Sequence, residues 1–183
     1  MNKTLFSALL VCTVVSAAVA SKSAPAAVNA SDRPAAKAEL KNAKGEKIGM
    51  AEFYPVDGGV KMKVQIAGLT AGDKGIHIHE KGKCDAPDFK SAGGHLNPDK
   101  KHHGLKNAEG HHEGDLNNLS VNKEGVAKQE FELKGAELQG QGPHSLLPAD
   151  GTAVVIHAKQ DDEKSDPAGN AGDRIACGVI KAI

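Results

Sequence analysis

Six histidines and one aspartate fall at spacings that would build two adjacent metal sites. His77 and His79 form a His-x-His pair. In a β-strand both imidazoles of such a pair lie on one face, roughly 6.5–7 Å apart along the chain, close enough to bind one ion. A middle block adds three histidines and a carboxylate, a ligand set suited to a closed tetrahedral zinc site. In chain order the seven residues are His77, His79, His95, His103, His112, Asp115 and His157.

The spacing of these residues carries more weight than any one of them. A lone histidine is usually a surface residue or a core residue whose nitrogens are satisfied, and nine histidines in the chain prove nothing by themselves. The series from His95 to Asp115, however, lies between the His-x-His pair and the apolar segment that ends at His157, and glycines flank several of its members. Order, spacing and flanking residues together predict metal binding.

The elements that must position these ligands are predicted to be β-strands. Residues 60–66 and 128–133 alternate between apolar and polar side chains, which is the period of a strand with one buried face. Further strand candidates cover residues 47–54, 75–80, 152–158 and 175–180. Turn signals occur at Asp57-Gly58-Gly59, Glu124-Gly125 and Asp150-Gly151. No segment keeps a helical period, so the prediction is an all-β fold.

The expected architecture is a Greek-key β-barrel or sandwich of about eight antiparallel strands with two long functional loops. The first loop covers residues 81–116 and the second covers residues 159–174. Long segments without regular structure are uncommon inside a compact domain and tend to be functional. Each of these begins beside a strand that carries candidate ligands, so metal binding would help to order them.

Composition bounds the class of protein. The chain has 183 residues, enough for one domain and a leader. Its 23 basic residues balance 23 acidic ones, so the composition does not indicate a surface that binds nucleic acid, and no nucleic acid is expected as a partner. Aromatic residues make up only 3% and glycines number 21, which suits a loop-rich β-protein with an aliphatic core.

The N-terminus predicts export. Lys3 precedes an apolar stretch at residues 5–15 that is too short to span a bilayer, and Ala18-Val19-Ala20 offers a cleavage site. We therefore expect a signal peptide at residues 1–20, a flexible arm at 21–36 and the functional domain at 37–183. The mature protein would be periplasmic or extracellular, without stable membrane insertion.

The seven candidate ligands resemble the metal-binding pattern of Cu,Zn superoxide dismutases of the bacterial exported type, and the likeness covers nearly all of the mature chain. The resemblance implies that His95, within Gly93-Gly94-His95-Leu96, bridges both metals through its two nitrogens. It assigns copper to His77, His79, His95 and His157, and it assigns zinc to His95, His103, His112 and Asp115.

Two histidine doublets leave part of the zinc set ambiguous. His102 stands beside His103, and His111 stands beside His112. The resemblance favours the second of each pair, because His103 precedes a glycine and His112 keeps its spacing to Asp115. His102 and His111 are then expected at the surface, although either could replace its neighbour as a ligand.

The resemblance also implies roles for four residues that do not bind metal. Cys84 and Cys177 are expected to form a disulfide, which suits an oxidising compartment. Asp161 would link a copper ligand to a zinc ligand and fix both imidazoles. Arg174 would lie over the copper and bind superoxide by charge and directed hydrogen bonds.

The implied activity is conversion of superoxide to dioxygen and hydrogen peroxide by cycling of a bound copper ion. His95 would carry a proton to the second superoxide, and zinc would be structural. Two other classes stay open, an exported copper- or zinc-buffering protein and a superoxide dismutase-like module without catalysis. A homodimer is possible, but nothing in the sequence marks a partner surface.

Overall fold

The computed structural model describes residues 33–140 and 142–183, and this part of the chain is almost entirely β-structure. A short 3-10 helix spans Lys90–Ala92. The strands are β1 (Ala36–Asn42), β2 (Lys47–Val56), β3 (Gly59–Ile66), β4 (Gly72–Lys74), β5 (Ile76–His79), β6 (Leu119–Val121), β7 (Ala127–Lys134), β8 (Ala153–His157), β9 (Arg174–Val179) and β10 (Lys181–Ala182). The predicted signal peptide lies outside the described residues. Within them, no helix is long and apolar enough to cross a membrane.

One curled antiparallel sheet contains eight of the strands, in the order β5-β8-β9-β1-β2-β3-β7, with β10 paired to β1. β4 and β6 form a separate two-stranded ribbon. Neighbours in the sheet are not always neighbours in sequence, since β1 pairs with both β2 and β9. The predicted all-β antiparallel fold with two long loops is confirmed.

Alternation of side chains explains why these segments pair as they do. In β3 the apolar residues Val60, Met62, Val64 and Ile66 are buried, whereas Lys63 and Gln65 are exposed. β7 repeats the pattern and pairs with β3 along its whole length. The main core that results is built mainly from aliphatic side chains, as the low aromatic content requires.

Four strands were not predicted. In β1 the buried positions are Ala36, Ala38 and Leu40, and two alanines give only a weak apolar signal. β4, β6 and β10 have two or three residues each, too few to show a period. β1 begins at Ala36, one residue before the expected start of the domain.

The first long loop is fastened at two places. A disulfide joins Cys84 to Cys177 of β9, with the two Cα atoms 5.6 Å apart, so the predicted pairing is confirmed. Beside it, Phe89 and Ala92 pack against Val155 of β8 in a second, smaller core. The segment from Cys84 to Ala92 is therefore fixed on the outer face of β8 and β9.

The free edge of β5 is covered by two segments of the same loop. Leu96 N–H donates to the Ile78 carbonyl at 2.8 Å, and Ile78 N–H donates to the Gly114 carbonyl at 2.9 Å. A Cβ atom on Gly114 would lie 2.2 Å from the Ile78 oxygen, so only glycine allows this approach. The ladder brings His95 and Asp115 alongside the strand that carries His77 and His79.

Candidate metal centre

Two groups of buried side chains meet beside β5. The first contains four histidines, and one nitrogen of each lies within 4.8 Å of the others. β5 supplies two of them, β8 ends at the third, and the loop segment along β5 supplies the fourth. The members of this four-histidine group are His77, His79, His95 and His157.

Three of these histidines have one ring nitrogen held by a protein oxygen that belongs to neither group. The pairs are His77 Nε2 with Asp161 Oδ2 at 2.7 Å, His79 Nδ1 with the Gly93 carbonyl at 3.0 Å and His157 Nδ1 with the Gly172 carbonyl at 3.0 Å. A carbonyl or carboxylate oxygen can only accept, so the facing nitrogen carries the proton. In a neutral imidazole the other nitrogen then has a free lone pair, which is what a metal ligand needs.

The nitrogens left free are all buried without a protein partner. Among the described residues they are His77 Nδ1, His79 Nε2, His95 Nε2 and His157 Nε2. Buried polar atoms are nearly always satisfied, and four unsatisfied acceptors facing one another are costly unless something binds them. Four imidazole nitrogens suit copper, so the donor set fits that metal.

Burial keeps these imidazoles neutral. It lowers the pKa of His77 to about 3 and the pKa of His157 to about 4. Burial also lowers the pKa of His79 and of His95, and the neighbouring histidines act in the same direction on His79. At neutral pH each ring is therefore in the form that binds metal rather than the form that repels it.

The second group contains three histidines and a carboxylate, and it shares His95 with the first. Asp115 Oδ1 lies 2.8 Å from His95 Nδ1, 2.9 Å from His103 Nδ1 and 3.3 Å from His112 Nδ1. The other carboxylate oxygen accepts the backbone N–H groups of Gly104 and His112 at 2.8 and 3.0 Å. Three imidazole nitrogens and one carboxylate oxygen suit tetrahedral zinc.

His95 presents a different nitrogen to each group. Its Nδ1 lies against Asp115 and is 3.3 Å from His112 Nδ1. Its Nε2 is the buried, unpartnered atom on the side of His77, whose ring stacks on that of His95 with centroids 4.0 Å apart. One imidazole is thus placed to join both groups.

Negative charge is in excess at the second group, where the Asp115 and Asp161 carboxylates both lie, and this favours binding of a cation. Burial lowers the pKa of His103, but hydrogen bonds to Asp115 and Asp161 outweigh it and raise this pKa to about 9. Burial raises the pKa of Asp115, yet its bonds to three histidines bring it far below the usual range. Without metal the proton on His103 offsets one of the two carboxylate charges, and a bound zinc ion would take over that role.

Asp161 connects the two groups. Its two carboxylate oxygens lie 2.7 Å from His77 Nε2 and 3.0 Å from His103 Nε2. Burial raises the pKa of Asp161, but these hydrogen bonds have the larger effect and bring it below its usual value. The side chain is therefore an ionised carboxylate. Gly169 lies against it, and a Cβ atom there would come within 1.7 Å of Asp161 Oδ1.

Arg174 is held beside the four-histidine group. It is the register partner of His157 in the β8–β9 pair. Its guanidinium donates to the carbonyls of Phe89 and Gly93 at 2.8 and 2.7 Å. The Gly93 carbonyl also accepts from His79, so one oxygen orients both a candidate ligand and the arginine. Arg174 lines an open surface pocket together with Asp88 and Lys90.

Within each histidine doublet, one side chain points into the second group and the other points to the surface. His103 and His112 are buried in the second group. His102 is exposed and lies 2.8 Å from Asp166, while His111 is exposed and lies 2.7 Å from the His112 carbonyl. Which histidines bind metal stays a prediction, but only one member of each doublet faces the group.

Several residues that shape the site were not predicted. The carbonyls of Phe89, Gly93 and Gly172 orient side chains, and every residue has a carbonyl, so the sequence gives no signal for them. Asn118 bonds to the backbone of Asp161 through its side-chain amide. Its position three residues after Asp115 was the only available hint.

Comparisons with known proteins agree with this geometry. The sequence profile described as "Copper/zinc superoxide dismutase (SODC)" matches residues 47–180. "Superoxide dismutase [Cu-Zn] 1" of Aquifex aeolicus is 50% identical over 145 residues, which is 79% of this chain and 86% of that protein. The part matched by the profile includes every member of both groups.

Solved structures extend the likeness to the fold. Cu/Zn superoxide dismutase from Brucella abortus has a TM-score of 0.64 at 28% identity, over 79% of this chain and 98% of that one. A SOD-like protein from Bacillus subtilis has a TM-score of 0.75 at 39% identity, over 78% and 96%. Profile, sequence and fold agree with the convergent histidines, and the chain belongs to the copper/zinc superoxide dismutase family.

Proposed function

We propose that this protein is an exported superoxide dismutase in which the four-histidine group binds copper and the second group binds zinc. Copper would be held by His77, His79, His95 and His157, and zinc by His95, His103, His112 and Asp115. When bound, copper supplies a reversible one-electron couple through which two superoxide ions give dioxygen and hydrogen peroxide. Zinc would have four protein ligands and no open position, so its role would be structural and electrostatic.

His95 and Arg174 have separate roles in this reaction. The second superoxide needs protons as it is reduced, and His95 Nε2 is an atom where one proton can be held while Nδ1 stays turned to the zinc group. Arg174 offers a fixed positive charge, and two of its five N–H donors are already bound to carbonyls. The remaining donors can orient the superoxide anion beside the copper group.

The observation that carries the proposal is the set of four buried ring nitrogens without protein partners. A protein that only stores metal does not need a shared imidazole or an arginine fixed at the register position of His157. Fold alone does not decide activity, since the matched structures include a protein named only as SOD-like. The ligands and Arg174 are what favour catalysis.

The test is superoxide decay measured with disulfide-intact protein that carries copper and zinc, zinc alone or no metal. We expect catalytic consumption only with copper present, and metal analysis should give one ion of each kind per chain. Full metal content without superoxide consumption would contradict the catalytic proposal and favour the buffering function. Failure to bind either metal would contradict both.

Export is proposed on two grounds. The leader carries Lys3, a short apolar stretch and the Ala18-Val19-Ala20 site. The Cys84–Cys177 disulfide suits an oxidising compartment. Intact-mass analysis of the exported protein should give a chain that starts near Ser21, and a mass that retains residues 1–20 would contradict this. A homodimer stays a prediction, which sedimentation of the mature protein can test.

A further inference from the structure

The side-chain amide of Asn118 holds the backbone of Asp161 at two points. Asp161 N–H donates to Asn118 Oδ1 at 2.8 Å, and Asn118 Nδ2 donates to the Asp161 carbonyl at 2.9 Å. An amide is needed for this arrangement, because one end must accept and the other must donate. A carboxylate could form only the first bond, and an aliphatic side chain could form neither.

Asp161 needs such support because no strand contains it. It lies four residues beyond the end of β8, inside the second long loop. Its carboxylate must nevertheless reach His77 and His103 at the same time, at 2.7 and 3.0 Å. Asn118 comes from a different part of the chain, between Asp115 and β6, so it ties the second loop to the end of the connection between β5 and β6.

Asn118 is in turn fixed to the main sheet by a second amide. Gln129 of β7 donates from Nε2 to the Asn118 carbonyl at 3.0 Å. Its Oε1 accepts the backbone N–H of Ser120 at 3.0 Å. Gln129 therefore holds the chain on both sides of Leu119, which is fully buried. The two amides form a continuous connection from the sheet to Asp161.

We propose that Asn118 is a positioning residue for both metals, and that Gln129 keeps Asn118 in place. The inference rests on the proposed metal sites. Neither amide touches a ligand, yet His77 of the copper group and His103 of the zinc group both depend on the carboxylate that Asn118 positions. Loss of the amide should loosen the orientation of both rings without removing any ligand.

The test compares Asn118→Ala with Asn117→Ala, a neighbouring exposed asparagine, in full-length mature protein. Zinc affinity is measured by competition with a chelator, and the geometry of the zinc site by the visible spectrum of cobalt(II) bound there. We expect Asn118→Ala to weaken zinc about tenfold, the lower end of the effect of removing a direct partner of a ligand, and to change the cobalt spectrum. Asn117→Ala should do neither.

A merely structural role gives a different result. Asn118→Ala would then lower the midpoint of thermal unfolding of the metal-free protein but leave zinc affinity and the cobalt spectrum unchanged, and this would overturn the inference. If that variant does not fold, Gln129→Ala replaces it, with a smaller loss of zinc affinity expected and no change as the contrary result. Parent protein that binds neither zinc nor cobalt would instead overturn the proposed metal sites.

Discussion

Three histidines of the four-histidine group each donate one ring N–H to a protein oxygen outside both groups and leave the other nitrogen free. His77 binds Asp161 through Nε2 and so presents Nδ1, whereas His79 and His157 bind carbonyls through Nδ1 and present Nε2. The choice of nitrogen is thus set by the acceptor that each backbone position can reach. Replacing one of these histidines would remove both its hydrogen bond to the protein oxygen and its free ring nitrogen.

The two metals should respond to different histidines. His157→Ala should mainly weaken copper, because this ring belongs only to the four-histidine group. His112→Ala should mainly weaken zinc, because this ring belongs only to the second group. Metal content after loading and dialysis measures both. His111→Ala and His102→Ala are matched controls that should leave both metals in place, and equal metal loss in all four variants would contradict the assignment.

Arg174 should affect the reaction and not the metal content. Removing its charge lowers the local concentration of superoxide and leaves the anion less well oriented. Arg174→Ala should therefore lower the second-order rate about 10- to 100-fold, which corresponds to a rise in activation free energy on the order of 1.4–2.8 kcal/mol. Arg174→Glu should lower it further, and Arg174→Lys should retain part of it. Stopped-flow decay of superoxide measures the rates.

Ionic strength provides the control for Arg174. Added salt screens a steering charge, so it should slow the parent protein more than Arg174→Ala. An Arg174→Glu protein with full metal content and the parent rate would show that the charge has no part in the reaction.

At the scale of elements, β5 organises the site. Ile76 and Ile78 face the main core, and the candidate ligands His77 and His79 lie on the opposite face. One edge of β5 pairs with β8, and the other edge is covered by the segments that bring His95 and Asp115. The second loop closes the arrangement by placing Asp161 between His77 and His103. The close fit of Gly169 against that carboxylate makes the loop sensitive to a single methyl group.

Two glycines of the second loop allow a matched test of that fit. Gly169 and Gly172 both have positive φ, 62° and 77°, so alanine costs a similar backbone strain at each. A Cβ atom on Gly169 would meet Asp161 Oδ1 at 1.7 Å, whereas one on Gly172 would be 3.4 Å from the nearest side-chain atom. Gly169→Ala should therefore weaken zinc about 10- to 100-fold, and Gly172→Ala should not. Equal zinc affinities, measured by chelator competition, would contradict the role given to Asp161.

Strands could be predicted from the sequence where large apolar residues alternate, as in β3 and β7. β1 was not predicted, because its buried positions include two alanines. The residues that histidine spacing predicted to lie together do lie together in the structure, because β5 and the loop segments beside it run in register. Carbonyl partners such as Gly93 could not be predicted, since acceptor positions depend on the fold and not on residue type. Asn118 was missed for a similar reason, because its target is a backbone segment 43 residues away.

For the whole molecule, the buried histidines predict how the stability of the metal-free protein depends on pH. The pKa values of His77 and His157 are lowered to about 3 and 4, below the unfolded value of about 6.5. As pH falls from about 6.5 towards 4, the unfolded state therefore binds protons that the folded state does not, and stability is lost. The pKa of His103 is raised to about 9, so its contribution is present below pH 6.5 and is lost as pH rises towards 9.

Thermal unfolding of chelator-treated protein between pH 4.5 and 9 checks this. We expect the midpoint to be highest near neutral pH and to fall on both sides. His157→Ala should reduce the loss on the acid side, since one buried imidazole that resists protonation is gone. A midpoint that does not change across the range would contradict the burial and ion pairing described for these rings.

The most direct test of one imidazole shared by two metal ions is the electron paramagnetic resonance spectrum of copper(II) with zinc or with cobalt(II) in the second site. Zinc is diamagnetic and should leave the copper signal intact. Cobalt(II) is paramagnetic, and coupling through the ring of His95 should abolish or strongly broaden that signal. An unchanged copper signal in protein shown to contain one cobalt ion per chain would mean that His95 does not join the two sites.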